Sequence, residues 1–212
     1  MTLLGKEELE GALAEDNLDS RLVVMPLLDP ERQIGAASID VRLGTQFQYF
    51  ERIGDAGLDP GDDLEATVES SQRSTTMELG DPFWLHPGQF VLGATLEYLR
   101  VPPHLAAYVV GRSSWGRLGL LVATAIMLQP GWGGNLTLEL VNHGESPIAL
   151  YPGSRIAQLA VHTLTDATPD PYDGKYQGPT GPWASRLGEE QQRIERLKVV
   201  ADRLHGRTPP EP

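Results

Sequence analysis

Pro130-Gly-Trp-Gly-Gly-Asn-Leu-Thr-Leu-Glu-Leu-Val-Asn142 carries the pattern that decides the fold. Proline presets φ at the first central position of a tight turn, and glycine supplies the positive φ that a type II turn needs at the second. Beyond the turn the residues alternate, with Leu136, Leu138 and Leu140 on one face and Thr137, Glu139 and Val141 on the other. That is the signature of a half-buried strand. The same punctuation recurs at Pro87-Gly88 and Pro152-Gly153. Strand-like runs lie around these turns, at Phe90–Leu99, Ala106–Val110, Leu118–Ala125, Leu136–Asn142 and Arg155–Thr163. No run of ten or more residues between 83 and 164 has clean helical periodicity, so the spacing predicts an all-β barrel or sandwich.

Working outward, residues 34–50 favour strands broken at Gly44, and the acidic, Gly/Ser/Thr-rich residues 54–74 predict a surface loop. Leu3, Leu4, Leu9, Ala12 and Leu13 predict a short amphipathic helix over 3–13. Residues 165–187 turn polar and rich in glycine and proline, as an ordered or closing tail would. Over 188–205, Ile194, Leu197, Ala201 and Leu204 form one helical stripe, expected to pack on the barrel or on a partner subunit. The expected organisation is one domain over 1–187 and a helical extension with its tail over 188–212.

The 212 residues are 40% hydrophobic, enough for a real core, and the net charge of −12 repels nucleic-acid backbones at long range. The absence of cysteine excludes disulfides, thiolate metal sites and cysteine nucleophiles, and fits a cytoplasmic protein. No apolar run approaches the roughly 20 residues of a membrane span. The five histidines are scattered without metal-ligand spacing.

Three segments could carry chemistry. In Gly111-Arg-Ser-Ser-Trp-Gly-Arg-Leu-Gly-Leu120, arginine forks and adjacent hydroxyls on a tight turn suit phosphate oxygens, although the composition equally fits an ordinary surface turn. Glu139 stands among apolar neighbours, where desolvation would raise its pKa toward the range useful for moving protons; on an edge strand it would simply face solvent. Pro171-Tyr-Asp-Gly-Lys-Tyr-Gln-Gly178 with Ser185-Arg186 could close over an anion or remain a solvated tail.

Taken together these segments resemble the dCTP deaminase family, a branch of the trimeric dUTPase-like fold. The resemblance rests on Arg112-Ser-Ser-x-x-Arg-Leu-Gly-Leu120, Thr124-Ala125, Pro130-Gly-Trp132, Thr137-Leu-Glu-Leu140 and Tyr151-Pro-Gly153. It extends to Ala37-Ser-Ile-Asp-Val-Arg-Leu-Gly44, His86-Pro-Gly-Gln-Phe-Val-Leu92, Lys175-Tyr-Gln-Gly178 and Ser185-Arg186. The resemblance implies a dUTPase-like distorted β-barrel or jelly roll, with a short N-terminal helix and here an extra C-terminal one. It implies a homotrimer with active sites between subunits; the acidic charge and the lack of a long apolar run argue against a nucleic-acid or membrane partner. In that reading Arg112, Ser113 and Ser114 hold phosphates, Ser113 and Arg117 orient the carboxylate and water, and Glu139 shuttles protons. Ala125 offers backbone hydrogen bonds near the base. Gln129 and Trp132 border the substrate, and Tyr172 and Lys175 close on the triphosphate. Magnesium rides on the phosphates rather than on protein ligands. The implied reaction is zinc-free deamination of dCTP to dUTP and ammonia, since a zinc deaminase needs cysteine ligands that this chain lacks.

The chain departs from the family pattern near that site. Gln129 stands where the pattern has an aspartate before Pro-Gly, which argues against dUTP pyrophosphatase activity because glutamine cannot act as a base. The segment 121–128 is one residue shorter, with an apolar Ile126-Met-Leu128, and Pro179 replaces a glutamine. The alternatives are a dUTP pyrophosphatase, a bifunctional deaminase–pyrophosphatase and a non-catalytic nucleotide-binding regulator.

Overall fold

The computed structural model describes residues 2–51, 57–62, 64–123 and 127–205. The chain opens with β1 (Thr2–Leu3), α1 (Lys6–Ala14), β2 (Val23–Met25), α2 (Pro30–Gln33), β3 (Ile39–Arg42) and β4 (Gln46–Phe50). Next come α3 (Leu64–Ser71), β5 (Gln72–Thr76), β6 (Phe83–Leu85), β7 (Phe90–Arg100) and β8 (Leu105–Gly111). The remainder is α4 (Ser113–Gly116), β9 (Leu120–Val122), β10 (Met127–Leu128), β11 (Gly133–Asn142), β12 (Ile148–Leu150), β13 (Arg155–Thr163) and α5 (Gly188–Leu204). Two compact units divide these elements, one drawn from 1–49 and 74–183, the other from 50–73 and 184–212.

In the larger unit one sheet runs β1-β13-β8-β10 with β3 also on β13, and a second runs β4-β7-β11-β9 with β2 also on β7. β12 and β6 make a two-stranded ribbon. The chain passes from the first sheet to the second at Gly44, whose N–H donates to the Ala94 carbonyl at 2.7 Å. Leu138, Leu140, Ile39, Val41, Phe47, Ile156 and Val161 are fully buried in one core, where Phe47 stacks on Phe83 at 4.6 Å between ring centres. The all-β expectation holds. Among the described residues the sheets stay open, because edge strands such as β1, β9 and β10, of two or three residues, cannot carry the hydrogen bonding round.

All three Pro-Gly turns form as expected. Gly88, Gly131 and Gly153 take φ of 72°, 89° and 86°. The turns close through Gln89 N–H to His86, Trp132 N–H to Gln129 and Ser154 N–H to Tyr151, at 3.0, 3.1 and 3.1 Å. Residues 54–74 are corrected. Where a loop was expected, α3 buries Leu64 and Val68 one helical turn apart, and the Ser71 hydroxyl donates back to Val68, so the segment's polar composition masked a short amphipathic helix. The N-terminal helix begins at Lys6, because Leu3 pairs with His162 as strand. The C-terminal helix matches its expected span, but Leu197 and Leu204 of its stripe are exposed.

A polar knot lies beneath this core. Fully buried Glu97 accepts from the Gln33 amide at 3.0 Å and from the Arg42 N–H at 2.8 Å, and it pairs with the Arg42 guanidinium at 3.4 Å. Burial pushes its carboxyl above the usual range, while bonds and charge from Arg42 work the other way. Removing one member strands the other's charge. Glu97→Ala should therefore lower the unfolding free energy by about 3–5 kcal/mol in urea titration, with an unchanged m value.

Candidate active site

The Arg-Ser-Ser segment folds as one helical turn, α4, at the end of β8. Arg112 is extended just before it (φ −75°, ψ 131°), and its N–H donates to the Ile156 carbonyl at 3.3 Å. The turn closes through Trp115 and Gly116 N–H groups to the Arg112 carbonyl and Arg117 N–H to Ser113. The Trp115 indole N–H donates to the Arg155 carbonyl at 2.9 Å, fixing the turn on β13. Ser113, Ser114 and Arg117 are exposed, so two hydroxyls and a guanidinium face solvent together. Arg112 is more enclosed, and its guanidinium lies 3.2 Å from buried Asp40.

From this turn the chain runs directly into β9, which lies antiparallel to β11 through Leu140–Val122, Val141–Leu121 and Asn142–Leu120. The Ala123 N–H donates to the Glu139 carbonyl at 2.8 Å, extending the pairing to Glu139 itself. Its side chain projects from the face opposite Leu138 and Leu140, half-buried, and desolvation raises its carboxyl pKa above the ordinary glutamate range. The predicted alternation of β11 is thus observed residue by residue. The structure places Arg112, Ser113, Ser114 and Arg117 on the turn that precedes β9, and Glu139 on β11 opposite Ala123, just past the far end of β9. Ala125, with Thr124 and Ile126, lies outside the described residues.

The tail docks on residues 130–137 of its own chain. Tyr172 N–H donates to Pro130, Gly178 N–H to Gly133, and Asn135 N–H to Pro179, at 2.8, 2.9 and 2.7 Å. The Gln177 amide bridges two backbone groups, accepting from Gly133 N–H and donating to the Gly131 carbonyl. Trp183 N–H donates to the Thr137 hydroxyl at 3.1 Å. Trp132, expected at the substrate, is buried with its indole N–H on the Tyr176 carbonyl at 2.8 Å, so the described contacts make it an anchor of the tail. The Tyr172 hydroxyl accepts from Tyr176 N–H, and the exposed Lys175 ammonium lies 5.7 Å from the Tyr176 ring centre. Gln129 is exposed, and its carbonyl begins the Pro-Gly turn. Sequence reasoning passed over Asp40 and Gln177. Both lie inside quoted motifs, but only the folded contacts give them partners.

Among the described residues, no group of three or more histidine, aspartate or glutamate side chains is placed to hold a metal ion. Around α4 the donors are cations and hydroxyls, a set that suits phosphate oxygens rather than a protein-bound cation.

These open antiparallel sheets form an architecture found in a known class of nucleotide deaminases. A solved 2'-deoxycytidine 5'-triphosphate deaminase from Agrobacterium tumefaciens shares the fold at a TM-score of 0.56 and 22% identity, over 76% of this chain and 48% of that one. The match thus spans about half of the solved chain. The dCTP deaminase-like family model matches residues 4–164, and the chain belongs to that family. A "dCTP deaminase, dUMP-forming" of Methanosphaera stadtmanae is 40% identical over 90% of this chain and 96% of its own length. A "dCTP deaminase" of Natronomonas pharaonis is 46% identical over 81% and 89%.

The docked tail gives a direct test of this geometry. Gly134 has φ of +146°, and a Cβ there would collide with the Pro179 ring. Gly134→Ala should displace the tail, seen as faster limited proteolysis at Lys175, with the sheet signal in circular dichroism retained.

Proposed function

We propose that this chain deaminates a cytosine deoxynucleotide, converting dCTP and water to dUTP and ammonia, as a hydrolase acting on a cyclic amidine. The observation that carries the reading is Glu139, a half-buried carboxyl of raised pKa one strand away from the exposed Arg-Ser-Ser-x-x-Arg turn. A carboxyl tuned upward can both accept and return a proton near neutral pH. Glu139 takes a proton from the water whose oxygen bonds to C4 of cytosine, and delivers it to N3. Glu139 then moves the proton of the new C4 hydroxyl to the amino group, the C4–N bond breaks to release ammonia, and the oxygen stays as the C4 carbonyl of uracil. Arg112, Ser113 and Ser114 hold the phosphates, Ser113 and Arg117 orient carboxylate and water, and Tyr172 and Lys175 cover the triphosphate. Ala125 and Gln129 meet the base and sugar. Trp132 borders the substrate by holding the tail beside it. Magnesium enters on the nucleotide's phosphates, where it neutralises charge. The reading includes a cytoplasmic homotrimer with sites where subunits meet.

A second reading concerns the product. The Methanosphaera relative is named as dUMP-forming, which favours loss of pyrophosphate as well. Gln129 opposes it, because an amide cannot deprotonate an attacking water. Incubation with dCTP and magnesium separates the two: ammonia and dUTP without pyrophosphate are expected, and pyrophosphate with dUMP would establish the second. Glu139→Gln should lower ammonia release by about 10²–10⁴-fold. Absence of ammonia from any cytosine nucleotide would remove both readings.

The raised pKa fixes a sign. Glu139 must be ionised to accept the first proton, so kcat/KM should fall as pH drops through a value above the ordinary glutamate range. For stability, a carboxyl with a raised folded-state pKa contributes below its unfolded pKa and loses that contribution as pH rises through the folded one. Glu139→Gln should accordingly match or exceed the parent's urea midpoint at neutral pH while losing activity.

A further inference from the structure

Asp40 lies on β3 beside the Arg-Ser-Ser turn, with only 5% of its surface exposed. Its Oδ2 faces two guanidinium groups, Arg112 at 3.2 Å and Arg155 at 3.0 Å, and its Oδ1 accepts from the Gln158 amide at 2.8 Å. Two cations on one carboxylate leave the cluster with a net positive charge. Arg155 is tied twice more, donating to the Arg32 carbonyl at 2.8 Å and offering its own carbonyl to the Trp115 indole of α4. The Asp40 carbonyl accepts from Gln33, which also bonds Glu97, so the backbone that presents the carboxylate is itself held. An unanchored arginine at a turn samples many rotamers. One paired to a buried carboxylate through a single amino group keeps a fixed plane and can present its remaining donors to an anion.

We propose that Asp40 is a positioning residue for Arg112, and that Arg155, held on the same carboxylate, is a second cation of the site that receives a nucleotide's polyphosphate. The inference rests on the phosphate-binding role given to Arg112 above. Asp40 acts through Arg112 and touches no ligand. Arg155 supplies the charge that keeps the cluster positive after Asp40 has neutralised one guanidinium. The site therefore favours a triphosphate over a monophosphate, because the added charge acts on the phosphate end alone.

Calorimetric titration with inorganic tripolyphosphate tests this on the full chain, alongside dCTP and dCMP kinetics. Asp40→Asn should weaken tripolyphosphate binding about tenfold and raise KM for dCTP by a similar factor, leaving kcat within about twofold and KM for dCMP unchanged. Asp40→Asn combined with Arg112→Ala should bind no more weakly than Arg112→Ala alone, since the carboxylate then has nothing to position. Arg155→Met leaves Asp40 intact and should weaken tripolyphosphate binding by about three- to tenfold, which keeps the test open if Asp40→Asn does not fold. Wild-type-like binding by folded Asp40→Asn, losses that multiply with Arg112→Ala, a fall in kcat alone, or no binding by the parent chain would each overturn the inference. A parent that binds tripolyphosphate with this mutant pattern, yet releases no ammonia from dCTP, would remove the proposed reaction and leave the cluster's role standing.

Discussion

Alternation along β11 makes one strand serve core and site together. Leu136, Leu138 and Leu140 must point inward for the second sheet to have an interior, so Thr137, Glu139 and Val141 must point out. A slip of one residue would invert both sets, burying the carboxylate and exposing three leucines. The register is pinned on both sides, by β7 from Gly133 to Val141 and by β9 over three pairs. At the bulge between Asn135 and Thr137, the Asn135 amide donates to the carbonyls of Thr95, Leu96 and Glu97. Glu139 consequently stands at one depth, where partial burial raises its pKa while the outward face leaves it accessible.

On β3 the same alternation has a different content. Ile39 and Val41 enter the core, whereas Asp40 and Arg42 occupy the other face and are buried as well. A strand with charges on its second face can be covered only if each charge meets its complement. Asp40 meets Arg112 and Arg155, and Arg42 meets Glu97. Such pairs add little net stability over apolar packing, but a wrong pairing strands a charge away from water. β3 therefore selects its neighbours: β13, the start of α4, α2 and the bulged end of β7 come together around it.

Much of this was legible in the sequence because its causes are local. A Pro-Gly turn is set by the two residues that form it, and all three formed. β13 matched its expected bounds because its run is apolar and cleanly terminated. The outward face of Glu139 was legible because period-two alternation fixes which face a side chain takes. Where the cause was tertiary, the reading failed or fell silent. Helix α3 rests on two apolar residues in a polar stretch, too weak a period to see. Asp40 showed only as a motif letter, because its partners lie 72 and 115 positions away. The bond from the Trp132 indole to the tail was likewise silent in the sequence, since an indole with one donor and a large apolar body finds its partner only when the segment returns.

The clasp on the tail is made chiefly from main-chain atoms. Gly131, Gly133, Asn135 and Pro130 contribute backbone groups, and the tail answers with backbone groups of Tyr172, Tyr176, Gly178 and Pro179, plus one glutamine amide. Pro179 takes part through its carbonyl, the one backbone hydrogen-bonding group that a proline retains. An attachment of this kind is indifferent to most side chains along it. Substitutions in the tail can accumulate without releasing it, so the side chains of this segment are free to drift while its anchorage stays unchanged.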